Sequence, residues 1–251
     1  MSFDIGQEAL EVFRQVPIDH AASVDDLSPK NTRNAGLRHF RNLLAHGLVT
    51  AESRRPLRIR VADDQFARAL YGTLTAKPYV IPILAGSHLP ILAALHAKSG
   101  TTAIELARDT GLHVNTVRIN LANLMARGLL VKQGRGISIA AHAGDFEDLA
   151  QFFIQFQLQQ KIPRSDVVLR KSGDLTMVVE SKRPLLALPT TATRRFQEDG
   201  AEVLAANYQY RIHALKDDAT VTLAEAFDDA TALGTSPRTL TAMHLFLESH
   251  T

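Results

Sequence analysis

The feature that most constrains this chain's fold is that it repeats itself. "NAGLRHFRNLLAHGL", Asn34 to Leu48, aligns without a gap on "NTVRINLANLMARGL", Asn115 to Leu129, at an offset of 81 residues. Asn34 meets Asn115, Asn42 meets Asn123, Leu43 meets Leu124, Ala45 meets Ala126, Gly47 meets Gly128 and Leu48 meets Leu129. The following segments also correspond. "RPLRIRVADDQFARAL" and "RGISIAAHAGDFEDLA" each read as a short β-rich piece, an acidic cap and an amphipathic helix. Two copies are too few for a solenoid, so the repeat reads as a duplicated domain.

The second copy is the more regular. "HLPILAALHAKSG" reads as an apolar helix ended by Gly100. Thr101 or Thr102 can cap "AIELARDTG", with Glu105 three residues beyond Thr102 as a capping-box partner, and Gly111 stops that helix. Asn115 is expected to cap the next helix, in which Val117, Leu121, Leu124 and Met125 recur on one face. Gly128 stops that helix. "LLVKQGRGISIAA" reads as a hairpin turning at Gln133–Gly136, and Asp145 as the cap of the helix after it. In the first copy Pro17 and Pro29 predict a short or distorted second helix, while the last helix and the hairpin are kept.

Helix, helix, short turn, helix, two-stranded wing, helix resembles a winged helix-turn-helix, and "NLMARGLL" resembles the close of the recognition helix in winged-helix regulators. The charge pattern points the same way. Lys30 to Arg60 holds eight basic residues against one acid, Glu52, and Leu112 to Ala143 holds four against none. Two basic patches at matching places in a repeat suit a polyanionic partner. Carboxylates beside a groove would repel phosphates, which crowd the duplex at one charge per ~1.7 Å of axis.

A recognition helix reads base edges with polar residues opposite its core stripe. In the second copy these are His113, Asn115, Thr116, Arg118 and Asn120, with Ile119 among them. Arg118 suits guanine and Asn120 adenine. Lys132, Gln133 and Arg135 of the wing would hold phosphates. The first copy's equivalents are Arg33, Asn34, Arg38 and Arg41, with Arg54, Arg55, Arg58 and Arg60 on its wing. Asn34 and Asn115 read equally well as plain helix caps. His39, His46 and His113 lack a His or carboxylate at i+3 or i+4, so no metal site is expected.

Beyond "KIPRS", Lys161 to Ser165, the pattern changes. "DVVLRKSGDLTMVVESKRPLLAL" reads as two or three strands and "NYQYRIHAL" as another. "PTTATRRFQEDG", "TLAEAFDDATAL" and "SPRTLTAMHLFLES" read as helices, the last with Pro237 in its first turn behind Ser236. The run from "TTATRRFQEDG" through "YQY" and "TLAEAFDDATAL" to the final apolar helix, about 60 residues, is similar to the C-terminal region of AbiEi-type antitoxin regulators and related archaeal winged-helix regulators. That resemblance implies a DNA-binding repressor with an added α/β domain for dimerisation or sensing. Its duplicated winged helix departs from the usual single copy. One catalytic pattern competes. Asp166 or Asp174 with Glu180-x-Lys182 matches the Mg²⁺-binding carboxylates and lysine of restriction-type nucleases. Exposed charges alternating along an edge strand would give the same pattern.

Bulk composition excludes several classes. The chain has 251 residues, no Cys, and no basic-then-apolar leader pattern at its start. No window approaches the roughly 18 apolar residues of a membrane span. The expectation is an α+β, cytoplasmic, non-enzymatic protein: winged helices over 1–80 and 81–162, and a small α/β domain over 163–251. It would bind double-stranded DNA as a transcriptional regulator without a cofactor. The last helix, with Leu240, Met243, His244 and Leu247 on one side and Ala242, Leu245 and Phe246 near a second, is expected to bury one side in its own domain and the other against the winged helices or, as first choice, against a second copy in a homodimer.

Overall fold

The repeated sequence is matched by repeated backbone geometry. In the first copy, α1 (Gln7–Phe13) is followed by β1 (Ala22–Ser23), the single turn α2 (Val24–Leu27), the long helix α3 (Arg33–Ala45), the hairpin β2 (Val49–Arg54) and β3 (Leu57–Val61), and α4 (Gln65–Ala76). A 3₁₀ turn and α5 (Ile81–Leu84) lead to the second copy. It runs α6 (His88–Ala97), α7 (Ala103–Thr110), α8 (Val114–Ala126), β4 (Leu130–Gln133), β5 (Gly136–Ile139) and α9 (Gly144–Gln160). The computed structural model describes residues 3–27, 33–162, 167–185, 188–201, 207–216, 220–234 and 237–250. Pro29, Lys30, Arg164, Ser165, Asp166 and Ser236 of the sequence reading lie outside the described residues. The contacts divide the chain into two compact units, Met1–Phe156 and Gln157–Thr251, and the fold is α+β with small antiparallel sheets.

The two long helices end alike. Gly47 and Gly128 take φ values of 69° and 73°, a conformation that costs most side chains free energy. The Leu48 N–H then donates back to the Leu43 carbonyl and the Leu129 N–H to the Leu124 carbonyl, each at 3.0 Å. Ala62 N–H reaches the Leu48 carbonyl and Ala140 N–H the Leu129 carbonyl, both at 2.9 Å. Each helix is thus followed by the same turn into the same hairpin. In the first copy β1 pairs with β3, Ala22 facing Ile59. In the second copy a single bridge, Thr101 to Ile137, occupies that place.

Three local expectations need correction. A strand, β1, stands within "AASVDDL", where only a shortened helix was expected; two residues leave no alternation to read. His113, not Asn115, caps α8: its ring Nδ1 accepts the Asn115 N–H at 3.2 Å. Asp145 lies in the first turn of α9, not before it, and pairs with Lys77. By contrast, Asp64 caps α4 through the N–H groups of Phe66 and Ala67, and the Thr102–Glu105 capping box is formed in full.

The two copies share one core. Helix α6 is buried from Leu89 to Leu95, so it is apolar all round rather than striped. The Phe3 ring lies 4.8 Å from Phe153 and 6.0 Å from Phe66, and Phe66 lies 5.1 Å from Phe156. The last helices of the copies, α4 and α9, therefore meet through aromatic rings whose edge and tilted packing is itself favourable.

In the second unit, β6 (Val168–Ser172), β7 (Thr176–Ser181) and β8 (Tyr208–His213) form an antiparallel sheet in the order β6-β7-β8. Helices α10 (Ala192–Glu198), α11 (Leu223–Leu233) and α12 (Pro237–His250) gather Phe196, Ala226, Ala230, Ala242 and Phe246 into a core. Phe196 and Phe246 stack at 4.7 Å. Buried Asp229 accepts the Thr191 hydroxyl at 2.7 Å and an Arg211 N–H at 3.3 Å, tying α11 to the start of α10 and to β8. On α12 the buried side is Ala242 and Phe246, while Leu240 is 50% and Leu247 49% exposed. Among the described residues no helix is long and apolar enough to cross a membrane.

Candidate nucleic-acid interface

In the second copy most of the expected residues are exposed. Val117, Leu121 and Leu124 bury one side of α8, as their spacing requires. That leaves Asn115, Thr116 and Arg118 exposed, with His113 exposed at the cap and Asn120 half-buried. The hairpin follows at once. Lys132 and Gln133 on β4 and Arg135 in the turn are all exposed. Among the described residues no carboxylate lies within ion-pair reach of Arg118, Lys132 or Arg135. Arg127, at the end of α8, adds a further exposed guanidinium.

Backbone contacts brace this hairpin from behind. Gly100 N–H donates to the Ile137 carbonyl and Ile137 N–H to the Thr101 carbonyl, both at 3.0 Å. The Ser138 hydroxyl accepts from Gly100 N–H at 3.1 Å. Gly136 presses so closely on Gly100 that a Cβ there would stand 2.3 Å from the Gly100 carbonyl oxygen. At the start of α7, the Glu105 carboxyl is held at a pKa of about 2 by the Thr102 N–H and hydroxyl and then by Lys98. The charge of the capping box is therefore fixed across the physiological range.

The first copy differs in its electrostatics. Arg33 opens α3, but its side chain lies outside the described residues. Asn34, Arg38 and Arg41 are exposed on α3, Arg54, Arg55 and Arg58 are exposed along the hairpin, and Arg60 is half-buried. Acids reach this surface from α1, from α2 and from the hairpin itself. Glu8 of α1 lies 4.0 Å from Arg38 and 3.4 Å from the His39 ring. Glu52 pairs with Arg60 at 3.0 Å. Asp26 sits where the Ser23 N–H and hydroxyl, and secondarily Arg58, hold its pKa below the usual carboxylate value. Between α3 and the hairpin runs an open groove lined by Leu37, Arg41, Leu44, Arg54 and Arg55, with Asp25 at its edge. The run from Lys30 to Arg60 contains Glu52 but not Glu8, Asp25 or Asp26, because α1 and α2 precede it in the chain.

Other expected chemistry is accounted for differently. Glu180 lies on the central strand, not an edge, and its carboxylate accepts from Arg170 and from Asn207. It forms a cross-strand ion pair with a neighbour on β6. Asp174 is exposed in the turn before β7, Lys182 is exposed just after it, and Asp166 lies outside the described residues. Among the described residues no group of three or more His, Cys, Asp or Glu side chains is placed to hold a metal ion. No protein-family model matches the chain, and no curated protein matches it.

Proposed function

We propose that this chain is a sequence-specific regulator that binds double-stranded DNA through two tandem winged helices and represses by occupying its site in the cytoplasm. The observation that carries this reading is the acid-free surface of α8 and the β4–β5 hairpin. There a helix with a solvent-facing polar side runs directly into a hairpin ending in Lys132, Gln133 and Arg135. A helix of that kind suits a major groove, and the wing suits the neighbouring backbone. The first copy, with its acids close to Arg38 and Arg60, serves as the weaker, backbone-holding partner. Two chains would pair through the second unit, matching a two-fold site. Exposed Val168 and Leu169 on β6, an outer strand of its sheet, and half-exposed Leu240 support that pairing.

The test is fluorescence anisotropy with labelled duplexes at several salt concentrations. If about six phosphates are neutralised, log K falls against log salt with a slope of about −5. Absence of affinity for any duplex at low salt would sink the reading.

A further inference from the structure

The outer side of α8 is centred on an aliphatic residue. At 3.6 residues per turn, Ile119 stands opposite the buried Val117, Leu121 and Leu124, and it is 63% exposed. Asn115, Thr116, Ala122, Asn123 and Ala126 share its side and are exposed. None of them is charged. Arg118 and Arg127 lie on the flanks of that side, and the basic wing follows in the chain. A lone exposed Ile is ordinary on a protein surface. Here it has unusual company, because amides, a hydroxyl and methyl groups surround it and cations border them.

The major groove offers one apolar feature, the C5-methyl group of thymine, and adenine is the base whose edge pairs bidentately with an Asn amide. The side of α8 offers both matching groups within one helical turn. Resting on the reading above, that α8 enters a major groove, we propose that Ile119 is a specificity-determining residue. It packs against a thymine methyl, and Asn115 and Asn123 read adenines beside it. The preferred site is then an A·T-containing duplex with thymine at the position Ile119 faces.

The experiment uses the full chain. A preferred duplex is selected from a random pool. Each thymine in it is then replaced in turn by deoxyuridine, which removes the methyl group and nothing else. Affinity is measured by anisotropy for the unaltered protein and for Ile119→Ala, whose fold is checked by a thermal melt. At one position deoxyuridine should weaken the unaltered protein about fourfold, the effect of one methyl group returned to water. Ile119→Ala should bind the thymine duplex as weakly and be indifferent to the methyl. The inference is overturned if the selected site holds no thymine, if every deoxyuridine is harmless, or if the methyl effect persists in Ile119→Ala. If no duplex is selected at low salt, the regulator reading itself fails and this inference falls with it.

Discussion

Lys132 and Arg135 present charge to solvent with no described carboxylate in reach, whereas Arg38 shares its surroundings with Glu8 at 4.0 Å. The two copies should therefore respond to mutation in opposite ways. Lys132→Ala and Arg135→Ala should each weaken binding to all duplexes alike and flatten the salt slope by about 0.9. Glu8→Gln should strengthen binding at low salt by roughly fivefold, since a charge at that distance in water is worth ~1 kcal/mol. Salt titrations of the three variants check this. A Glu8→Gln protein with unchanged affinity would show that α3 stays clear of the DNA. At this scale the sequence was legible where chemistry is local. The buried stripe Val117, Leu121 and Leu124 and the exposed Lys132 and Arg135 stand as their spacing requires. It was not legible for Glu8, because nothing in the order of residues shows that α1 sets its carboxylate beside Arg38.

Among the elements, the β4–β5 hairpin depends on a glycine pair that neither propensity nor periodicity singles out. Gly136 sits against the Gly100 backbone with no room for a Cβ. Gly136→Ala should cost about 1–3 kcal/mol through overpacking and should also weaken duplex binding, because the hairpin must shift. Gly134, at the turn with φ 61° and open space around it, provides the control. Gly134→Ala should cost only the backbone strain of about 1–2 kcal/mol and leave the hairpin in place. Urea unfolding together with anisotropy separates the two. Equal effects on binding would mean that the apposition of Gly100 and Gly136 does not position the hairpin. The same contrast sets the limit of legibility for elements. Gly111 and Gly128 end helices where expected, because a left-handed residue after an apolar stripe is a local signal. Strand β1 went unread, because a two-residue strand exists only through its partner Ile59. His113 displaced Asn115 as the cap because a ring nitrogen can accept an N–H as an amide oxygen does.

For the first unit as a whole, two histidines tie stability to pH. Burial pushes the His46 pKa down, with Asp4 opposing, and burial likewise pushes His88 down, with Arg127 adding to it and the Ala85 carbonyl opposing. A free imidazole takes up a proton near pH 6.5, but these folded ones resist it. Below about that pH the unfolded chain binds more protons than the folded one, so stability falls as pH falls. Thermal melts at pH 7.5 and 5.5 should show a lower Tm at the acid end. The double variant His46→Asn, His88→Asn should lose much of that difference, and an undiminished difference would refute the assignment. The pairing of α4 with α9 lay beyond the sequence, since apolar stripes say that a helix is covered without saying by what. That pairing also bears on whether either half could stand alone. Here Phe66 belongs to the first copy and Phe153 and Phe156 to the second, and each shields the other from water. Deleting either half would bare an aromatic patch on the survivor and invite aggregation. Neither half is a spare, for each is the other's cover.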